Sequence, residues 1–184
     1  MNDLSLHILD ILQNSVRAGA SIIELDIIEN TVENTFRIVF TDNGCGMDEE
    51  MVKRVVDPFF TTRTVRKVGL GLPLLKQTCE QTGGSLHITS KLKEGTRVEA
   101  VFTRNHIDRP PLGDMAGTVV FTASAYPDIH FVYRHRKDGK SYTFDTKEVN
   151  EVLDGLSIQT PEVIRYLTEM IEENLKEIQC ENSN

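Results

Sequence analysis

Residues 35–47 read TFRIVFTDNGCGM, and the fold turns on this stretch. Its first half is rich in β-branched and aromatic residues. With the similar run SIIELDII at 21–28 and the polar ENTVEN between them, it predicts a pair of adjacent strands. Asp42 then stands at a strand end, followed by two glycines one residue apart, Gly44 and Gly46. An isolated Asp-Asn-Gly is only a turn, so a reason for the second glycine has to come from the rest of the chain.

Upstream, Leu6, Leu9, Leu12 and Val16, with Ile8 and Ile11, recur at helical spacing over residues 5–17, and Gly19 follows as a C-cap. Downstream, a short helix is expected from Asp48 to about Val55, ended by Pro58. Residues 57–70 show no clean period. GLPLLKQTCEQTGG resumes the helical one, and SLHITS and TRVEAVFT read as strands joined by KLKEG. At RNHIDRPPLGD the texture changes, which divides the chain into residues 1–104 and an α+β extension, 105–184. In the extension GTVVFTASA, IHFVYRH and SYTF read as strands. Asp145 boxes the start of a helix to about Leu153, and Thr160-Pro161 opens a long amphipathic helix.

The net charge of -8 from 20 basic and 28 acidic residues disfavours nucleic acid and anionic membrane as partners. No apolar run reaches the roughly 18 residues of a membrane span, and the first residues lack the marks of a leader, so a cytoplasmic protein is expected. Cys45, Cys79 and Cys180 are odd in number and lack Cys-x-x-Cys spacing, which suits reduced thiols.

Three glycine-bearing stretches compete to hold phosphate. DGKS at 138–141 lacks the earlier P-loop glycine and joins two strands, so it is a hairpin turn. GLGLPL at 69–74 has Leu74 where a dinucleotide fingerprint needs its third glycine. It nevertheless sets Gly69 and Gly71 at the opening of a helix, where unpaired N–H groups and the dipole hold anions. A nucleotide anchored there needs a second site for its base, and Asp42 with Gly44 and Gly46 offers an acceptor and room for the ring. Asn14 offers a side-chain oxygen to a magnesium ion, which takes few ligands from protein.

DILQNSVRAGA, DNGCGM, DPFFTTR, GLGLPLLKQ and GTRVEAVF follow the order and approximate spacing of the boxes of the gyrase, Hsp90, histidine kinase and MutL (GHKL) ATPase superfamily. Residues 1–104 resemble that superfamily. DPFFTTR and the stretch from GLGLPLLKQ onward look like the catalytic domain of sensor histidine kinases, while NSVRAGA and DNGCGM also look like MutL. The resemblance implies an α/β (α+β) Bergerat-type two-layer sandwich, a mixed sheet covered by helices, with ATP and Mg2+ as cofactors. It assigns the metal to Asn14, the adenine amino group to Asp42, and the shape of the adenine pocket to Gly44 and Gly46, with Met47 and Thr96 beside them. Arg17 comes near phosphate, Gly69, Leu70, Gly71 and Leu72 form the phosphate end, and Phe59 with Phe60 anchors a lid.

The pattern departs at two places. Hydrolysing members commonly carry glutamate four residues before the asparagine as general base. Here Asp10 is shorter by about 1.5 Å, so fast hydrolysis is not expected, although Asp10 can still orient a water or polarise an incoming group. The lid is cut to the eight residues TTRTVRKV, a positive patch of Arg63, Arg66 and Lys67, with Lys76 further on. The ATP-binding helix begins within the first ten residues, so an acceptor is expected on another protein. The expected function is therefore Mg-ATP binding with γ-phosphate transfer in trans to a protein partner, as histidine or anti-sigma-factor serine kinases do. The alternative is a slow ATPase or ATP-gated interaction module. ATP and ADP are the expected ligands, and a homodimer through the last helix is open.

Overall fold

A computed structural model describes residues 3–59 and 70–180. The elements run α1 (Leu4–Arg17), β1 (Ile22–Asn30), β2 (Thr35–Asp42), α2 (Glu49–Val55), α3 (Gly71–Gln81), β3 (Ser85–Lys91), β4 (Gly95–Thr103), α4 (Met115–Ala125), β5 (His130–Lys137), β6 (Lys140–Asp145), α5 (Thr146–Leu153) and α6 (Pro161–Gln179). The strands form one six-stranded sheet in the order β3-β4-β2-β1-β5-β6. Among the described residues only the β1–β5 pair is parallel, so the sheet is mixed.

Alternation along the strands gives the sheet one dry face. Ile23, Leu25 and Ile27 of β1, Phe36, Ile38 and Phe40 of β2, and Val98, Ala100 and Phe102 of β4 are buried under the helices. The other face is partly solvated and carries ion pairs such as Arg134 with Glu24 and Asp26. This is the two-layer α/β sandwich that the resemblance implies.

Helix α1 is capped by Asp3, whose carboxylate accepts from the Leu6 N–H, and buries Leu4, Ile8, Ile11 and Leu12. Each such side chain contributes about 1.5–3 kcal/mol by leaving water. Leu6 is exposed, so the dry stripe is rotated from the one read through Leu6, Leu9 and Val16. The N-terminal half of this helix is apolar on most sides, and only docking against the sheet selects a face.

GTVVFTASA forms helix α4 in place of the expected strand. The run is β-branched, which favours strands, but Met115, Val119 and Ala123 recur every four residues and are buried. Asp114 caps the helix, accepting from the Gly117 N–H at 2.8 Å. Thr118 and Thr122 send their hydroxyls back to the carbonyls of Asp114 and Thr118, one turn earlier. Residues 105–180 thus supply two strands and three helices, and β5 pairs directly with β1.

A buried polar cluster ties these later elements to the earlier ones. Glu29 of β1, only 4 % exposed, accepts from His135 Nε2 and Gln179 Nε2, both at 2.7 Å, and from Arg104 Nε at 3.3 Å. Tyr133 reaches the other ring nitrogen of His135 at 2.9 Å.

Candidate functional site

The sheet register brings the site together. Asp42, the last residue of β2, pairs with Ile23 on one side and Thr96 on the other. The end of α1 lies across them, because the Ser15 hydroxyl donates to Asp42 Oδ2 at 2.6 Å. The other carboxylate oxygen accepts from the Gly44 N–H at 2.9 Å. A hydroxyl and an amide therefore orient the Asp42 carboxylate, each leaving lone pairs for a ligand.

The glycines now have a physical reason. Gly46 lies at φ 70°, and a Cβ there would run into the Lys91 carbonyl. A Cβ on Gly44 would lie 2.8 Å from that of Ala18. The loop is pinned on both sides. The Cys45 N–H donates to the Ala18 carbonyl at 2.9 Å, and the Cys45 carbonyl accepts from Lys93 N–H at 2.7 Å. Asn43 closes the rear, its side-chain oxygen accepting from the N–H groups of Ser21 and Ile22.

Between α1, β2, β4 and this loop lies a cavity of about 230 Å³. Ile11, Phe40, Val55, Leu72 and Val98 make it apolar, while Asn14, Arg17, Asp42 and Thr96 put polar groups on its wall. Gly46 and Met47 also line it. Asn14 Oδ1 accepts from Arg17 at 3.2 Å, and its buried Nδ2 has no hydrogen-bond partner among the described residues. A buried amide without a partner is costly, so this wall is shaped for a polar ligand. The apolar sides with a carboxylate and a hydroxyl at one end suit a flat heterocycle bearing an amino group. Among the described residues no group of three or more His, Cys, Asp and Glu could hold a metal ion.

The remaining expected residues fall into three groups. Gly71 begins α3, and Asp10 packs against it so closely that a Cβ at position 71 would overlap the carboxylate. Leu70, the N-cap of α3, makes no side-chain cap bond, so that helix start keeps backbone donors that its cap does not satisfy. Phe59 is exposed and does not line the cavity. Gly69, Phe60 and the lid basic residues Arg63, Arg66 and Lys67 lie outside the described residues.

Two contributors escape a reading of the sequence: Ser15, and Ser90, whose hydroxyl accepts from the Met47 N–H, donates to the Gly95 carbonyl and meets Thr96 Oγ1 at 2.8 Å. Serine next to Asn14 and serine across from Thr96 are ordinary in composition, and only the strand register gives them partners.

Known proteins share sequence with this chain over its first half. Residues 2–106 match the model of the family described as histidine kinase-, DNA gyrase B-, and HSP90-like ATPase. A putative sensor protein of Shewanella frigidimarina is 34% identical over 97 residues, 52% of this chain and 15% of that protein. Sporulation kinase A of Bacillus subtilis is 27% identical over 103 residues, 56% of this chain and 17% of the kinase. The chain thus spans less than a fifth of either relative. Among solved structures, the Aquifex aeolicus MutL ATPase domain complexed with ADP aligns with TM-score 0.48 and 15% identity over 84% of this chain and 70% of that one. With a family model covering more than half of its residues, this chain belongs to the histidine kinase-, DNA gyrase B- and HSP90-like ATPases, and residues 2–106 carry their ATP-binding domain.

Proposed function

We propose that the chain binds Mg-ATP in the cavity beside Asp42 and passes the γ-phosphate to a partner protein in trans. The observation that carries this reading is the convergence of Asn14, Arg17, Asp42 and Thr96 on one apolar cavity that Gly46 also lines. Asp42, fixed by Ser15 and Gly44, accepts from the adenine amino group, and Thr96 and Met47 bound the ring. Asn14 would hold the metal through Oδ1, the oxygen that accepts from Arg17 here, and Arg17 sets a cation beside it, three residues on along the same helix face. The α3 start, Leu70, Gly71 and Leu72 with Gly69 before it, offers backbone donors to phosphate.

When bound, Mg-ATP supplies the phosphoryl group and a divalent charge to offset its oxygens. The chain's own part is positioning. Asp10 does not line the cavity but lies against Gly71 at the α3 start, where it would accept a proton from, or orient, a group that approaches the phosphates. Phe59 would anchor the lid that the resemblance implies.

A second reading, a slow ATPase or ATP-gated interaction module, draws support from the same Asp10, whose carboxylate adjoins the helix start where phosphate would lie. Purified protein incubated with labelled ATP and magnesium separates the two. Label on a co-purified protein supports transfer, and free phosphate alone supports hydrolysis. Asn14→Ala serves as the control, and label movement unaffected by that change refutes both.

A further inference from the structure

We infer that the apolar groove between α5 and α6 is a docking site for an amphipathic helix of a partner protein, one whose apolar stripe is flanked by lysine or arginine. The groove shares no lining residue with the cavity beside Asp42, so the inference stands apart from what that cavity binds.

Both α5 and α6 pack on β5 and β6, the last two strands of the sheet. A groove of about 260 Å³ remains between the two helices. Its lining includes Tyr142 and Phe144 of β6, Val149 and Val152 of α5, and Leu167 and Met170 of α6. The apolar surface runs out of the groove through Val152, 85 % exposed, and Tyr166, 64 % exposed. Scattered apolar residues at a surface are ordinary, but two that line one groove extend it into a contiguous patch, the mark of an interaction surface.

The rim is acidic on the side that faces the groove. Among the described residues no lysine, arginine or histidine lines it, whereas Asp145 and Glu148 do. Asp145 is engaged, its carboxylate meeting His130 Nε2 at 2.8 Å, and Glu148 is exposed. At about 100° of rotation per residue, the exposed Glu162, Glu173 and Glu177 of α6 lie within about 40° of Tyr166, and Glu169 about 60° away. The cations of α6 are turned further off, Lys176 by about 80° and Arg165 by about 100°. Lys176 lines a separate cavity with Met115 of α4. On α5, Lys147 lies about 140° from Val152, and Lys140 of β6 donates to the carbonyls of Glu177 and Cys180. Among the described residues none of Glu148, Glu162, Glu169, Glu173 and Glu177 is in an ion pair.

The placement of these charges selects the shape of the occupant. An extended segment on the β6 edge would alternate its side chains between the two faces of the sheet. Residues between its apolar ones would then lie on the side of Arg134 and Arg136, away from the carboxylates. A helix sets an apolar stripe and the residues flanking it on one side, so its apolar side chains enter the groove while lysine or arginine reaches the rim. A second copy of this chain would set acid against acid, at a net charge of -8 on each.

The test uses the whole chain and three synthetic peptides of about 18 residues, long enough to form a helix. One carries leucine at helical spacing flanked by lysine, the second has glutamate in place of lysine, and the third shuffles the first so that no face is apolar. The first is expected to bind, to gain helicity by circular dichroism, and to bind less tightly as salt is raised. It should slow amide exchange in α5 and the first half of α6 at least about tenfold. Val152→Asp and, independently, the pair Glu148→Lys/Glu173→Lys should each weaken binding at least about tenfold. The pair Glu33→Lys/Glu94→Lys, an equal change of net charge at the β1–β2 and β3–β4 turns, should leave it unchanged. All these positions are exposed, so the variants keep the fold. The inference is overturned if the lysine peptide does not bind or binds without becoming helical, or if either control peptide binds as well. It is equally overturned if the protected amides lie outside α5 and α6, if Val152→Asp has no effect, if the two charge-reversed pairs act alike, or if the protection grows with protein concentration alone.

Discussion

Replacing Glu29 by glutamine keeps its shape and removes its charge from the cluster that joins β1, β5 and α6. Burial pushes the Glu29 carboxyl up, but hydrogen bonds from His135 and Gln179, with the charges of His135 and Arg104, more than offset it and hold the group at about 2 against an ordinary 4.5. At about 1.4 kcal/mol for each tenfold change in acidity, that depression is worth about 3 kcal/mol. A carboxyl depressed on folding stabilises the native state above its unfolded value and loses that contribution as pH falls through its folded one. The contribution is therefore complete above about pH 5 and decays between 4.5 and about 2. Glutamine stands in for the protonated acid. In urea unfolding followed by circular dichroism, Glu29→Gln should be less stable than wild type by about 3 kcal/mol near pH 7, and by only about 1 kcal/mol near pH 3. A gap that stays constant with pH, or none near neutrality, would refute the assignment of that charge to the network.

Gly46→Ala places an L residue at φ 70°, which costs roughly 1–2 kcal/mol, and drives its methyl into the Lys91 carbonyl. Mg-ADP affinity should fall more than about tenfold with the melting temperature lowered, and an unchanged titration would show that this loop does not shape the pocket. Ser15→Ala removes a charge-assisted bond worth about 1.5–3 kcal/mol from Asp42. Calorimetry should then report about tenfold weaker ADP binding by an otherwise folded chain, and unaltered affinity would sink the positioning role of Ser15. Asp10→Asn should leave ADP binding within a few-fold while phosphate transfer or release drops by about a hundredfold. A variant as active as wild type would remove Asp10 from the chemistry.

Much of this was legible in the residues because the site rests on local features: a carboxylate at a strand end, glycines where backbones touch, and an asparagine one turn from an arginine. What was hidden depends on distant partners. Helix α4 hid behind β-branched residues whose strand preference yields to an Asp114 cap and burial every fourth position. The dry face of α1 was ambiguous because apolar side chains crowd its N-terminal half. Ser15 acquires its role from Asp42, 27 residues away, and Glu29 from Gln179, 150 residues away. No local pattern encodes either meeting. Among the described residues no helix is long and apolar enough to cross a membrane.

The central claim is that Asn14 and Asp42 serve one nucleotide. Isothermal titration of the purified chain with ADP, with and without magnesium, tests it most directly. The account predicts saturable uptake that magnesium strengthens, weakened in Asn14→Ala chiefly in the presence of the metal and lost in Asp42→Asn with or without it. Absence of uptake by the wild type, or uptake that neither substitution alters, would contradict it.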